Sequence, residues 1–381
     1  MLVKGHWQTF RILRHKVDKK ARYVWFHAAS LGEFEQGRPL MERFRREHPE
    51  FKILLTFFSP SGYEVRKNYA GADIICYLPF DTPGNVLSFF RLVHPEMAFF
   101  IKYEYWNNFF QACRFKHIPI YMVSAIFRPT QGFFHWWGFY RRWALHNVEH
   151  FFVQNEESEQ LLASIGFKNV TISGDTRFDR VIDINRQAKD IPFVERFKKQ
   201  DRILVAGSSW TPDEDIIIPY FNSHPELKLV LAPHVIDEWH LREIESKLKR
   251  PFVRVSQIKA EALDGVDCLI VDCFGLLSSI YRYGEVAYVG GGFGVGIHNV
   301  PEAAVYGIPV LFGPNNKKFQ EAQDLLKLGA CHEVTDAESF TALMDRFATD
   351  ADYLAHCGEL SGKYISQNAG ASDIIWHHLK L

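Results

Sequence analysis

Long apolar runs are missing from this 381-residue chain. No stretch approaches the roughly 18 to 20 uninterrupted apolar residues of a spanning helix, and Met1 is not followed by the basic-then-apolar pattern of a signal peptide. Cysteine is scarce. Cys76, Cys113, Cys268, Cys273, Cys331 and Cys357 include no Cys-x-x-Cys pair and read as reduced, mostly buried thiols of a cytosolic protein, which excludes a disulfide framework. The 17 histidines do not join them in an array at zinc spacing, so no metal site is expected. Neither sign of charge is in excess: 44 Lys+Arg against 45 Asp+Glu give a formal net charge of −1, which excludes a nucleic-acid-coating protein. Internal repeats of about 20 to 50 residues are missing too, which disfavours solenoids and propellers. What is present is 47% apolar residues and 15% aromatics, enough for two ordinary cores in a chain long enough for two domains.

The charge is balanced overall but not locally. Lys4, Arg11, Arg14, Lys16, Lys19, Lys20 and Arg22 stand against Asp18 alone and make a basic arm. Further on, Phe133, Phe134, Trp136, Trp137, Phe139, Tyr140 and Trp143 interleave with Arg128, Arg141 and Arg142, the mixture that settles at a lipid headgroup boundary. An aromatic core helix with a solvated edge would give the same pattern. The neighbouring basic arm favours an anionic membrane surface.

Short apolar runs alternate with amphipathic stretches at Tyr23–His27, Lys52–Phe57, Asp73–Leu78, Met97–Ile101, Ile118–Val123 and His150–Val153, and again at Arg202–Ala206, Lys228–Ala232, Asp267–Val271, Val286–Val289 and Pro309–Phe312. This strand, loop, helix rhythm predicts two doubly wound α/β halves, residues 1–175 and 176–360, followed by a helix over 361–381 that can pack back on the first half. In such sheets the ligand sits at the carboxyl ends of the strands, which directs the search to a few loops.

Glu33 follows the first run at a strand-to-helix turn, where the helix dipole should lower its pKa. Lys102, Glu104 and Arg128 follow later runs and belong at the same sheet edge, a mixed-charge site suited to an anionic, hydroxyl-rich ligand. In the second half, Gly290, Gly291, Gly292, Gly294 and Gly296 follow a strand and lead into a helix near Asn299 and Glu302, a setting for a phosphate on backbone N–H groups. The full dinucleotide fingerprint fails, since Val295 holds its last position. Ser208 and Ser209 open a second small-residue turn, and His234 follows another strand. Asp213-Glu214-Asp215 has a metal-chelating spacing but reads better as the acidic first turn of a helix after Thr211 and Pro212.

His27-Ala28-Ala29-Ser30-Leu31-Gly32-Glu33, Lys102-Tyr103-Glu104-Tyr105-Trp106-Asn107, Gly174-Asp175-Thr176-Arg177-Phe178-Asp179 and Gly290 through Ala304 together resemble the 3-deoxy-D-manno-octulosonic acid (Kdo) transferases of lipopolysaccharide synthesis, over nearly the whole chain. The resemblance implies a GT-B enzyme with two Rossmann-like domains facing a central cleft. It further implies CMP-Kdo as donor, a lipid A precursor as acceptor, no cofactor or metal, and no nucleic-acid partner. The place of action would be the cytoplasmic face of the bacterial inner membrane, reached peripherally or through the amino-terminal anchor usual in the family. Carried over by position, Glu33 is the general base, with Glu104 the second catalytic acid. Ser208, Ser209, His234, the five glycines, Asn299 and Glu302 bind the donor, while Lys102 and Arg128 meet the acceptor or the sugar carboxylate. Three departures stand out: Lys102 replaces the first acid of the usual Glu-Thr-Glu, Pro233-His234 lacks the arginine of Pro-Arg-His, and Arg128 follows Ile126-Phe127. Other readings are a UDP-sugar transferase or epimerase of the same fold, or a non-catalytic binder of nucleotides or anionic lipids.

Overall fold

The computed structural model describes residues 2–188, 190–258 and 263–379; the side chains of Lys4 and Tyr140, both singled out above, lie outside the described residues. The chain divides into two compact units, residues 1–180 with 368–381, and residues 181–367.

The first unit carries seven strands, β1 (Arg22–Ala28), β2 (Phe51–Phe57), β3 (Ile74–Tyr77), β4 (Pro95–Ile101), β5 (Ile120–Ala125), β6 (His150–Val153) and β7 (Val170–Ile172), in the parallel order β3-β2-β1-β4-β5-β6-β7. A sheet covered on both faces needs strands that are apolar throughout, and β1 shows it. Tyr23 and Trp25 enter the core on one face with Phe100 and Phe109, while Val24, Phe26 and Ala28 join Phe34, Phe44 and Phe99 on the other. The carboxyl-terminal helix Ala371–Leu379 closes that second face through Ile375 and Leu379. Asp179 ties its approach down by accepting the Gly370 and Ser372 N–H groups at 2.5 and 2.6 Å. The Gly174–Asp179 motif is therefore a latch within this unit. Asp175 takes the Gln36 amide and the Arg177 side chain, and Thr176 donates to the Gln36 carbonyl.

The basic arm is not a loose tail. It is largely a helix, Leu2–Lys16, whose Leu13 is fully buried and whose Thr9 hydroxyl donates to the Tyr77 carbonyl at 2.8 Å. Arg11, Arg14, Lys16, Lys19, Lys20 and Arg22 remain exposed on its outer side and in the turn beyond it. The aromatic segment divides: Phe133 and Phe134 pack on the core around Phe127, whereas Trp136, Trp137, Phe139 and Trp143 are 90, 47, 74 and 54% exposed.

The second unit carries β8 (Arg202–Ser209), β9 (Leu227–Pro233), β10 (Phe252–Arg254), β11 (Cys268–Ile270), β12 (Val286–Val289), β13 (Val310–Phe312) and β14 (Cys331–Glu333), in the parallel order β10-β11-β9-β8-β12-β13-β14. The strands unforeseen from sequence are β7, β10 and β14, each three residues long and each the last strand at a sheet edge. A short strand with one neighbour buries too little to leave an apolar run.

Candidate functional site

Strand order reverses between β1 and β4 in the first sheet and between β8 and β12 in the second. Such a switch point opens a crevice at the carboxyl ends of the strands. Glu33 and Glu104 follow β1 and β4; Ser208 lies at the carboxyl end of β8, and the glycine turn follows β12. Both sets of foreseen residues thus flank the switch point of their own unit. Backbone strain marks the same edges: Lys102, Ser124 and Ser208 adopt φ of 69, 51 and 54°, a region that costs non-glycine residues energy and gathers at functional sites.

In the first unit the helix Leu31–Glu47 starts at Ser30, whose hydroxyl caps the Glu33 N–H. Glu33 is 6% exposed, and its Oε2 accepts the Ala29 N–H at 2.5 Å. Burial, followed by the negative charge of Glu104, pushes its carboxyl up to about 7, against the opposing pull of the Ala29 and Ser30 N–H groups and Lys102. The expected lowering by the helix dipole is overturned: desolvation and a like charge outweigh one turn of oriented amides. Glu104 accepts the Trp106 indole N–H at 3.0 Å. Lys102 lies 5.2 Å from the centre of the Tyr103 ring, and that phenol, raised mainly by burial, feels Glu33, Arg128 and Glu104 together. The structure therefore gathers Glu33, Lys102, Glu104 and Arg128 around Tyr103. Beside them a cavity of about 360 Å³ is lined by Tyr103, Tyr105, Asn107, Phe133, Arg141 and Ala144. Neither this cavity nor Tyr103 was singled out from sequence, although Tyr103 lies inside a quoted motif.

In the second unit, the glycines at 290 and 292 are dictated by close approach. A Cβ on Gly290 would lie 2.3 Å from the Ser208 carbonyl oxygen, and one on Gly292 would lie 2.5 Å from the Gly313 Cα. Most of the glycine amides expected to meet a phosphate are already committed. Gly290 N–H donates to Gly207, Gly291 N–H to Asp213, Gly294 and Gly296 N–H to Gly291, and His298 N–H to Gly290. The helix after the turn spans only Pro301–Ala304, too short to supply much dipole, because Gly307 with φ 68° and then Pro309 stop it. Open capacity lies elsewhere. Asn299 donates to Glu302 at 2.7 Å while its own Oδ1 is buried without a partner. Lys317 and Lys318 are exposed on the loop pinned to the turn by Asn315, which donates to the Gly292 and Gly294 carbonyls.

Asp213 and Glu214 are structural girders in this unit. Asp213 accepts the Trp210 and Gly291 N–H groups and the Tyr288 hydroxyl, all within 2.8 to 2.9 Å. Glu214 accepts the Ser209 hydroxyl and meets His240, both at 2.9 Å, so Ser209 spends its side chain inside the fold and Ser208 is the serine left half-buried at the edge. The helix starts at Thr211, so Trp210 and not Thr211 is the cap, with Pro212 in the first turn. His234 stacks on Trp210 and on His298 at centroid distances of 4.8 and 4.3 Å, the Trp210 indole donates to His298 Nε2 at 3.2 Å, and burial lowers the pKa of both imidazoles. With burial favouring the neutral form of both rings, the stack offers a flat polar face rather than a cationic clamp.

Two seven-stranded parallel units, each with polar groups at its switch point, define an α/β fold of the GT-B class. Solved structures agree on the fold. UDP-GlcNAc 2-epimerase from Neisseria meningitidis superposes with a TM-score of 0.66 at 14% identity, covering 94% of this chain and 99% of that one. MurG of Acinetobacter baumannii gives 0.56 at 9% identity, covering 93% and 99%. The family described as 3-Deoxy-D-manno-octulosonic-acid transferase (kdotransferase) matches residues 5–180. The 3-deoxy-D-manno-octulosonic acid transferase of Aquifex aeolicus is 30% identical over 84% of this chain and 85% of its own length, and that of Chlamydophila psittaci 25% identical over 97% and 88%. This chain belongs to the 3-deoxy-D-manno-octulosonic acid transferase family.

Proposed function

We propose that the protein transfers Kdo, with inversion, from CMP-Kdo to the primary hydroxyl of a lipid A precursor, without a metal or cofactor. The observation that carries the mechanism is Glu33: a buried carboxyl with one short N–H bond, a negative neighbour and a pKa near neutrality. A base poised near the working pH takes the hydroxyl proton as the oxygen attacks the anomeric carbon, and positioned base catalysis contributes about 10²- to 10⁴-fold. The C–O bond to CMP breaks in the same displacement and its electron pair leaves with the phosphate.

Because most glycine-turn amides are occupied, the donor phosphate is assigned to the Ser208 hydroxyl and the cations Lys317 and Lys318. The ribose or base goes to the open Asn299 acceptor and Glu302. Lys102 and Arg128 are the candidates for the sugar carboxylate. The exposed Trp136, Trp137, Phe139 and Trp143, with Arg128 and Arg141, suit the cytoplasmic face of an anionic inner membrane. There each Lys or Arg contributes on the order of 1 kcal/mol, and the adjoining cavity would receive the acceptor.

Incubation with CMP-Kdo and a tetraacylated lipid A precursor, followed by mass spectrometry, tests the reading. A mass gain of one or more Kdo units with release of CMP is expected. An unmodified acceptor in the presence of intact donor, or transfer only from UDP-sugars, overturns it.

A further inference from the structure

We infer that His27 is a positioning residue that, through the Trp106 indole, holds Glu104 against Glu33; the inference rests on the transferase reading above. His27 is fully buried, at the end of β1, six residues before the proposed base and outside any contact assigned to substrate. Hydrogen-bond accounting fixes how its ring is used. The Thr56 hydroxyl has one proton and two lone pairs. It donates to the Phe26 carbonyl at 3.3 Å and accepts the Trp25 indole N–H at 2.8 Å. Its remaining lone pair faces His27 Nδ1 at 2.9 Å, so Nδ1 carries the proton. Nε2 is then an acceptor, and the Trp106 N–H reaches it at 3.1 Å.

That same indole N–H lies 3.0 Å from Glu104 Oε2, and His27 Nε2 itself is 3.6 Å from that oxygen. One proton is forked between a buried imidazole and the carboxylate. The far side of the imidazole is held by Thr56, itself fixed by the Trp25 indole and the Phe26 carbonyl, so the ring sets the indole rotamer and the indole sets Glu104. Packing supports the arrangement: the Trp106 ring lies 4.8 Å from Phe58 and edge-on to His27 at 5.7 Å. The groups facing Glu33 are Glu104, Lys102 and Tyr103 from the loop after β4, and the Ala29 and Ser30 N–H groups from the turn before its own helix. Arg128, after β5, reaches that set through Tyr103. Of the charged side chains acting on Glu33 among the described residues, Glu104 favours its protonated form and Lys102 opposes it, so letting Glu104 drift weakens the base.

Three substitutions separate positioning from mere packing. Trp106→Phe keeps the ring on Phe58 and deletes the forked proton. His27→Asn keeps a donor for Thr56 and deletes the acceptor for Trp106. His27→Gln places an amide oxygen where Nε2 was. The readouts are the ¹³C titration of the Glu33 carboxyl, assigned by its loss in Glu33→Gln, and the pH profile of kcat. Trp106→Phe and His27→Asn should each lower the Glu33 midpoint by about half a unit or more and kcat about five- to tenfold, with donor KM within about twofold, while His27→Gln restores most of both. A folded Trp106→Phe protein whose Glu33 midpoint and kcat profile match the parent overturns the proposal. The carboxyl titration needs no sugar donor, so it reads the positioning even if Kdo proves to be the wrong sugar.

Discussion

The two units solve the problem of burying an acid in opposite ways. Glu33 and Asp213 both sit in the first turn of the helix that follows the opening strand of their sheet, and both are almost out of contact with water. Asp213 is given three donors within 2.9 Å and spends its charge bracing the glycine turn. Glu33 is given one short backbone donor and a like-charged neighbour. Burial raises both carboxyls, and the one with a single short backbone donor and a like-charged neighbour is pushed up to about 7. The count of donors, rather than position on the helix, separates the acid proposed as the base from the one that braces the fold.

The sharpest way to break this contrast is to neutralise each acid in turn. Glu33→Gln should lower kcat by about 10³-fold while leaving CMP-Kdo binding within about twofold, measured by steady-state transfer and by calorimetric titration of the donor. Asp213→Ala should do the reverse: leave three buried donors unpaired, destabilise the protein by about 3 kcal/mol and raise donor KM at least about tenfold, with kcat at saturation reduced much less. A smaller effect, on the surface of the first unit, is expected from Trp136→Ser with Phe139→Ser. Partition onto vesicles containing anionic lipid should fall about tenfold with no change in melting temperature, because both side chains are exposed. The smallest effect sharpens the sign of the buried charge. A carboxyl whose folded pKa is raised stabilises the fold below its unfolded pKa and loses that contribution as pH rises through about 7. Glu33→Gln should therefore raise the melting temperature by a few degrees at pH 8.5 and leave it unchanged at pH 4.

Much of the molecule was readable from residue order. The alternation of apolar runs located eleven of the strands, because central strands buried on both faces must be continuously apolar; Val24 through Ala28 is an example. Three of the four edge strands, β7, β10 and β14, escaped, each too short to carry that signal. Residue type and the strand-to-helix setting pointed to Glu33, Glu104 and the glycine turn, which lie at the switch points of their units. They could not say which groups were spent. That Ser209 is consumed by Glu214, that five turn amides already have acceptors, and that burial and Glu104 raise Glu33 rather than lower it follow from how the folded chain packs and pairs, which residue order does not display. His27 shows the same limit. Its place in the motif was visible, but its tautomer depends on Thr56, 29 positions away, and its partner Trp106 on a different strand end.

The most direct measurement is the pH dependence of kcat for the unmodified protein with CMP-Kdo saturating, between pH 5.5 and 8.5. With Glu33 as the base, turnover should fall about tenfold per unit on the acid side of a midpoint near 7 and level off above it, and Glu33→Gln should abolish that limb. A profile flat across the range, or an acid limb that survives in Glu33→Gln, would contradict the assignment.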